Sequence, residues 1–328
     1  MTTYIIRRLI YMIVLLFGIS VISFIVIQLP PGDYLTTYIL QLQSRGTVVD
    51  ESLIASLKAY YGLDQPMLYQ YAKWIRNILI YGDFGRSFEW NKSVGFLLAQ
   101  RLPLTLVVSI SSLIFTYLLA VPIGVFSAVR RYSAWDYVFT FLGFVGLSVP
   151  SFLLALILMF VFYNAFGITV GGLFSQQFID APWSWAKVVD LINHLWVPMI
   201  VLGLGGTAGI IRVLRATMLD ELNKDYVKVA RSKGLPEWKV ILRHPVRIAI
   251  NPIISTIGWT LPDIFSGATI VSVVLNLPTT GPLLLQALLS QDMFLAGSFI
   301  LILSILTVIG TFISDILLAW LDPRIRYE

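Results

Sequence analysis

Apolar runs about twenty residues long recur along this chain, and they constrain its fold more than any other feature. A helix needs about 20 mostly apolar residues to cross a hydrocarbon core roughly 30 Å thick, because each residue rises about 1.5 Å. Six stretches qualify, at 9–29, 104–129, 137–166, 195–214, 252–275 and 294–321. With 57% of the 328 residues hydrophobic and 12% charged, there are too few polar side chains to clothe a soluble globule of this size. Lipid must cover part of the surface. The expected fold class is an all-α integral membrane protein with six transmembrane helices. A structured extracytoplasmic region follows the first helix, and a long cytoplasmic loop lies between the fourth and fifth.

Arg7 and Arg8 precede the first run as they would in a secretory signal, but the run is too long and ends in Pro30-Pro31-Gly32-Asp33 without a small-residue cleavage site. Residues 1–29 therefore read as an uncleaved anchor. Placing Arg7 and Arg8 inside puts 15 of the 23 Lys and Arg on inner segments and 8 outside, the sense that the positive-inside rule requires. Both termini are then cytoplasmic. The chain divides into the anchor, an extracytoplasmic helical region at 30–102, and a core at 103–328 that contains the cytoplasmic loop 215–251.

The outer region is too long for a simple turn. Asp50 can cap a helix that carries Leu53, Leu57 and Tyr60 on one face and ends at Gly62. A second helix is predicted from near Pro66, with Leu68, Tyr71, Ile75, Ile78 and Leu79 at helical spacing, stopping at Gly82. The region is either a packed lid or a docking surface for an external partner.

Catalytic and cofactor chemistry finds little support. Without cysteine there is no disulfide or thiolate metal site, and His194 and His244 fall on opposite sides of the membrane. No metal site and no catalytic group are expected. The basic residues sit at the ends of apolar runs rather than in a domain of their own, which argues against nucleic acid. No phosphate-binding Gly-x-x-x-x-Gly-Lys-Ser/Thr loop occurs, so the chain does not itself hydrolyse ATP. Gly203-x-Gly205-x-x-Ala208 mimics a dinucleotide fingerprint inside an apolar span, and Gly205-x-x-x-Gly209 reads better as close helix packing.

The richest signal is the loop that runs from Arg215 through Asp225-Tyr-Val-Lys-Val-Ala-Arg-Ser-Lys-Gly-Leu-Pro to Trp238, Arg243, His244 and Asn251-Pro252. A loop this long on the cytoplasmic side suggests a protein contact. Helical spacing puts Tyr226, Val229 and Ala230 on one face, and Gly234 is placed to end the helix. A small Ala on that face would let a partner's backbone approach closely.

This loop resembles the coupling motif of binding-protein-dependent ABC transporter permeases, in the version found in dipeptide and oligopeptide importers. The match runs through Asp225, Tyr226, Val227, Ala230, Arg231, Lys233, Gly234, Leu235, His244 and Pro252, with Lys228 where the general motif has Glu and Ser232 where Ala is common. Pro31-Gly32-Asp33, residues 61–66, Gly82-Asp83-Phe84-Gly85, Arg101-Leu102-Pro103 with Thr105, residues 146–152 and the closing Leu321-Asp-Pro-Arg324 are similar to the same family. The resemblance implies a permease subunit of a prokaryotic inner-membrane importer. Its implied partners are a second homologous permease subunit in a heterodimer, two cytoplasmic ATPase subunits that bind ATP and magnesium, an extracytoplasmic substrate-binding protein, and lipid. No cofactor is implied for this chain itself. It further implies that Asp225, Tyr226, Val229, Ala230, Arg231, Lys233 and Gly234 couple the chain to the ATPase. Peptides are the expected cargo, with oligosaccharides or another small solute as the alternative.

Three residues in the fifth run are candidate pore-lining groups. Asp263 follows Pro262 inside the span, where an uncompensated carboxylate costs roughly 2.5–3.5 kcal/mol, so it faces either the translocation path or a partner helix. Trp259 either stacks on cargo or belongs to the core. Asp315, near the inner end of the last span, reads as reaching the interface or pairing with a neighbouring helix rather than as a transport group. The segment 276–282 departs from the family's usual gate sequence. A secondary transporter that works alone would carry ionisable groups in several spans or an inverted repeat, and a membrane enzyme would need converging catalytic groups. Only Asp263 and Asp315 stand out.

Overall fold

The computed structural model of the chain describes residues 2–28, 64–87 and 89–321, and within them the backbone alone at 2–4, 258–267, 318, 320 and 321. The first predicted outer helix, from Asp50 to Gly62, lies outside the described residues. Apart from one short hairpin, the regular structure among the described residues is helical, and four of the helices are long and apolar enough to cross a membrane, or five if a bent pair counts as one.

The first, α1 (Thr2–Gln28), is followed by α2 (Met67–Arg76), which continues as a π-helical turn (Asn77–Tyr81) and ends at Gly82 in the left-handed region, φ 64°. Pro66 precedes the helix and Gly82 closes it, as the turn chemistry of those residues dictates. Strands β1 (Arg86–Ser87) and β2 (Lys92–Ser93) pair antiparallel, and then α3 (Val94–Val129) begins. At 36 residues it is about 54 Å long, well beyond the apolar run at 104–129. An apolar run marks what a bilayer can cover, and the helix extends beyond it, passing through Pro103 and Pro122.

The run at 137–166, read from sequence as one span, is two helices. α4 (Ala134–Ser148) and α5 (Ser151–Phe166) meet at a 102° bend. Pro150 has no N–H to continue the ladder and disfavours helical backbone at the residue before it, and Val149 is extended (φ −89°, ψ 118°). Beyond it lie α6 (Trp185–Leu222), α7 (Asp225–Ser232), α8 (Glu237–Arg243), α9 (Pro245–Ala249), α10 (Asn251–Val274), α11 (Thr280–Leu289) and α12 (Met293–Leu321).

These elements divide into two compact units. One comprises Leu9–Pro103 and Leu283–Leu306. Its core brings Phe24 and Ile27 against Trp74, Phe294 and Leu301, and Val94 and Leu98 against Leu283, Leu295 and Phe299. Buried Asp292 accepts from the Ser87 hydroxyl at 2.5 Å and from the Leu295 N–H at 3.3 Å, which ties the hairpin to the first turn of α12.

The other unit comprises Met1–Arg8, Leu104–Pro282 and Thr307–Glu328. Its spine is α6, which carries one apolar cluster with Leu104, Val108, Ala155, Val271 and Leu275, and a second with Ala120, Ala128, Ile241, Ala249 and Ile253. Close approach on α6 occurs at Gly203, not at the predicted Gly205/Gly209 pair. A Cβ on Gly203 would meet Phe115 Cδ1 at 2.6 Å, whereas one on Gly205 meets only Ser151 Oγ at 3.7 Å and one on Gly209 meets nothing within 4 Å. The Gly-x-x-x-Gly spacing identifies a possible smooth face; which glycine a neighbour presses is set by helix phase.

Candidate functional site

The segment from α7 to α9 is built as three short helices separated by prolines and a glycine. None is long enough to persist alone, so each depends on what it packs against. α7 presents Val227 and Ala230 inward, 0% and 5% exposed, onto Val240 of α8, which is also fully buried. Burying a valine contributes about 1.5–3 kcal/mol, enough to hold a helix of this size in place. On α8 the neighbouring Ile241 enters the α6 cluster with Leu214, Met218 and Ala249. Thr217 on α6 also donates to the Ala249 carbonyl at 3.2 Å. The segment is therefore seated on the end of α6 through two layers of apolar contact.

The polar groups fasten its edges. Asp225, in the first turn of α7, pairs with Lys228 at 2.9 Å, and that hydrogen bond holds its carboxyl below the ordinary range. Lys228 thus has a local partner where the family motif carries an acid. The Tyr226 hydroxyl donates to Glu221 at 2.5 Å; burial first, and the carboxylate second, push its phenol well above the usual value. Its ring centroid lies 6.2 Å from that of His244. Arg231 makes a forked contact with Glu237 across the α7–α8 turn, closest at 2.6 Å. Lys233 is exposed at the C-cap, its N–H bonded to the Val229 carbonyl. Gly234 follows with φ 71°, a conformation that costs a side-chain-bearing residue about 1 kcal/mol or more.

Two sequence expectations change here. Ala230 does not share an outward face with Tyr226 and Val229, because its other helical neighbour, Val227, turns it into the contact with Val240. Its small size serves packing within this chain. The outward surface is instead Val229, 53% exposed, with partly exposed Tyr226 and Leu235, and on α8 Trp238 and Leu242 at 62% and 58%. The sequence places Trp238 in this loop but does not pair it with Leu242. Their spacing of four, out of phase with buried Val240 and Ile241, is the signal that could have found them.

Elsewhere the placements are simpler. Asp315 pairs with Arg8 at 3.2 Å, the interhelical role expected for it. His194 contacts the backbone carbonyl of Asp190 through Nδ1 at 2.7 Å. The backbone of α10 is helical through Trp259, Pro262 and Asp263, while their side chains lie outside the described residues. Among the described residues no three His, Asp or Glu side chains converge as a metal centre requires.

The Arg231–Glu237 contact yields a pH prediction. Its hydrogen bond to Arg231 lowers the Glu237 carboxyl, so the stabilisation is complete above the unfolded value of about 4.3 and is lost as pH falls through the depressed folded value. Both groups are about half exposed, so Glu237→Gln should cost only about 0.5 kcal/mol at pH 7. In thermal melts the difference between Glu237→Gln and the native chain should shrink toward zero near pH 3; a difference independent of pH would mean the pair contributes no charge interaction.

Comparison with known proteins adds the wider context. Residues 120–327 match the family described as binding-protein-dependent transport system inner membrane component, and residues 1–109 match its N-terminal companion. The chain is 35% identical over 331 residues to the oligopeptide transport system permease protein AppB of Bacillus subtilis, with all of both chains covered. It is 33% identical over 327 residues to a putative peptide permease protein of Brucella suis biovar 1, covering 99% of each. It is 30% identical over 329 residues to the oligopeptide transport system permease protein OppB of Haemophilus influenzae, again with both chains fully covered.

Proposed function

The chain belongs to the family of binding-protein-dependent transport system inner membrane components, and from that premise we propose that it forms half of the peptide-conducting pore of an ATP-driven importer. Six spans, with both termini and the 215–251 segment in the cytoplasm, fit this role, as does the excess of Lys and Arg on those segments. A second permease subunit completes the pore. Two ATPase subunits supply hydrolysis, and an external binding protein delivers peptides of the kind that the relatives' names specify.

One observation carries the reading: a short helix locked to its own chain by Val227 and Ala230 while Val229, Trp238 and Leu242 stay exposed beside it. An ATPase that fits this surface differently in its nucleotide-bound and nucleotide-free states would move the segment, and the difference in fit supplies the coupling free energy.

The test is purification of the tagged chain from its native membranes with its companions, followed by reconstitution into liposomes. A labelled oligopeptide should accumulate only when ATP and the binding protein are both present. Uptake by the chain alone, without ATP, would replace the importer with a secondary transporter.

A further inference from the structure

Away from the partner-facing surface, a buried carboxylate is paired with a partly exposed arginine across the fold. Asp136, 2% exposed in the first turn of α4, meets Arg215 of α6 in a two-point contact: Nε to Oδ1 at 3.0 Å and the terminal nitrogen to Oδ2 at 2.8 Å. The same carboxylate accepts the backbone N–H of Tyr132 at 2.9 Å. Tyr132 is held at φ 64°, a region that a bulky side chain rarely enters. Ser133 caps α4 by accepting from the Asp136 N–H at 3.2 Å. A single side chain thus secures the turn after α3, the start of α4 and a point on α6 ten residues before Asp225.

Farther along α4, two glycines face α6. A Cβ on Gly143 would touch the Ala208 methyl at 3.5 Å, and one on Gly146 would lie 3.7 Å from the Leu204 carbonyl. Small residues allow close approach but offer little interlock, so helices packed this way can slide in small shear steps. A geometrically exact charged contact at one end removes that freedom. Arg215 also lies between Leu214 and Thr217, residues of α6 that contact the α7–α9 segment through the Ile241/Ala249 cluster and the Ala249 carbonyl.

We propose that the Asp136–Arg215 pair is the joint that carries movement of the 215–251 segment into α4, and through it to the elbow at Val149–Pro150. The pair is a positioning device, and its role as a joint rests on the importer reading above. It makes α4 and the end of α6 move as one body; without it, displacement of the segment dissipates as slip along the glycine face.

The experiment uses the complete transporter in liposomes, with peptide uptake and ATP hydrolysis measured in the same vesicles and normalised to assembled complex. Asp136→Asn keeps an acceptor for the Tyr132 N–H and so preserves the turn, while Arg215→Lys keeps the charge but loses the fork. Each should lower the peptide carried per ATP hydrolysed about tenfold, with hydrolysis itself changed less than about twofold. Ser133→Ala, which removes only the cap, should lower thermal stability and leave that ratio intact. Should Asp136→Asn fail to assemble, Arg215→Lys alone decides. An unchanged ratio, or uptake and hydrolysis falling together, overturns the joint; absence of ATP-driven uptake in the native transporter overturns the importer reading as well.

Discussion

Gly203→Leu is expected to abolish stable folding, whereas Gly209→Leu, one and two-thirds turns along the same helix, should be tolerated. At position 203 the added Cβ alone would stand 2.6 Å from Phe115 Cδ1, 3.1 Å from Thr116 Oγ1 and 3.2 Å from the Ser112 carbonyl. A side chain can swing aside, but that carbonyl belongs to the backbone of α3. The approach is fastened by a hydrogen bond too: Thr116 of α3 donates to the Gly203 carbonyl of α6 at 3.0 Å. Forcing four carbons into this contact costs about 3 kcal/mol or more, a large share of the roughly 5–15 kcal/mol that holds a typical domain together. Size-exclusion profiles and thermal melts in detergent check the result. If Gly203→Leu elutes and melts like the native chain, α3 and α6 do not approach as described.

Val227→Asp should separate folding from function. The site is fully buried against Ala230 and Val240, and a carboxylate there finds no partner. Burying it costs several kcal/mol, more than the valine contributed, so α7 leaves its seat instead. An eight-residue helix does not survive in water without that seat. ATP-driven uptake should fall about a hundredfold, the equivalent of about 2.8 kcal/mol. Trypsin should cut readily after Arg231 or Lys233, sites that the folded turn protects. The contrasting variant is Val229→Asp on the exposed face, which should leave protease resistance unchanged and, on the proposed reading, weaken only docking of the ATPase. Native uptake by Val227→Asp would remove α7 from the coupling path.

These two variants mark different degrees of legibility. The helix at Asp225–Ser232 was readable because a charged segment ending in Gly234 stands out between apolar spans. The membership of its inner face was not. Helical spacing groups Ala230 equally with Tyr226 and Val229 or with Val227, and only the arrival of Val240, ten residues downstream, decides between them. For the same reason the exposed pairing of Trp238 with Leu242 is defined only once α8 buries Val240 and Ile241 against its own chain. The elbow in 137–166 is an intermediate case: Pro150 announces a break, but the 102° angle depends on what α4 and α5 each pack against.

What the sequence determined by itself is whatever depends on neighbours along the chain. Apolar run length against bilayer thickness marks a multi-pass membrane protein, Pro66 and Gly82 delimit a helix, and the Asp225–Gly234 motif identifies the family. Tertiary structure alone decided which face of α7 is buried, which glycine of α6 admits α3, and that Asp136 would meet Arg215 from 79 residues away. The physical reason is that a helix's periodicity defines its faces but not its neighbours. Those are chosen by close packing and by the need of each buried charge for a partner, and both conditions are met only once the helices are assembled.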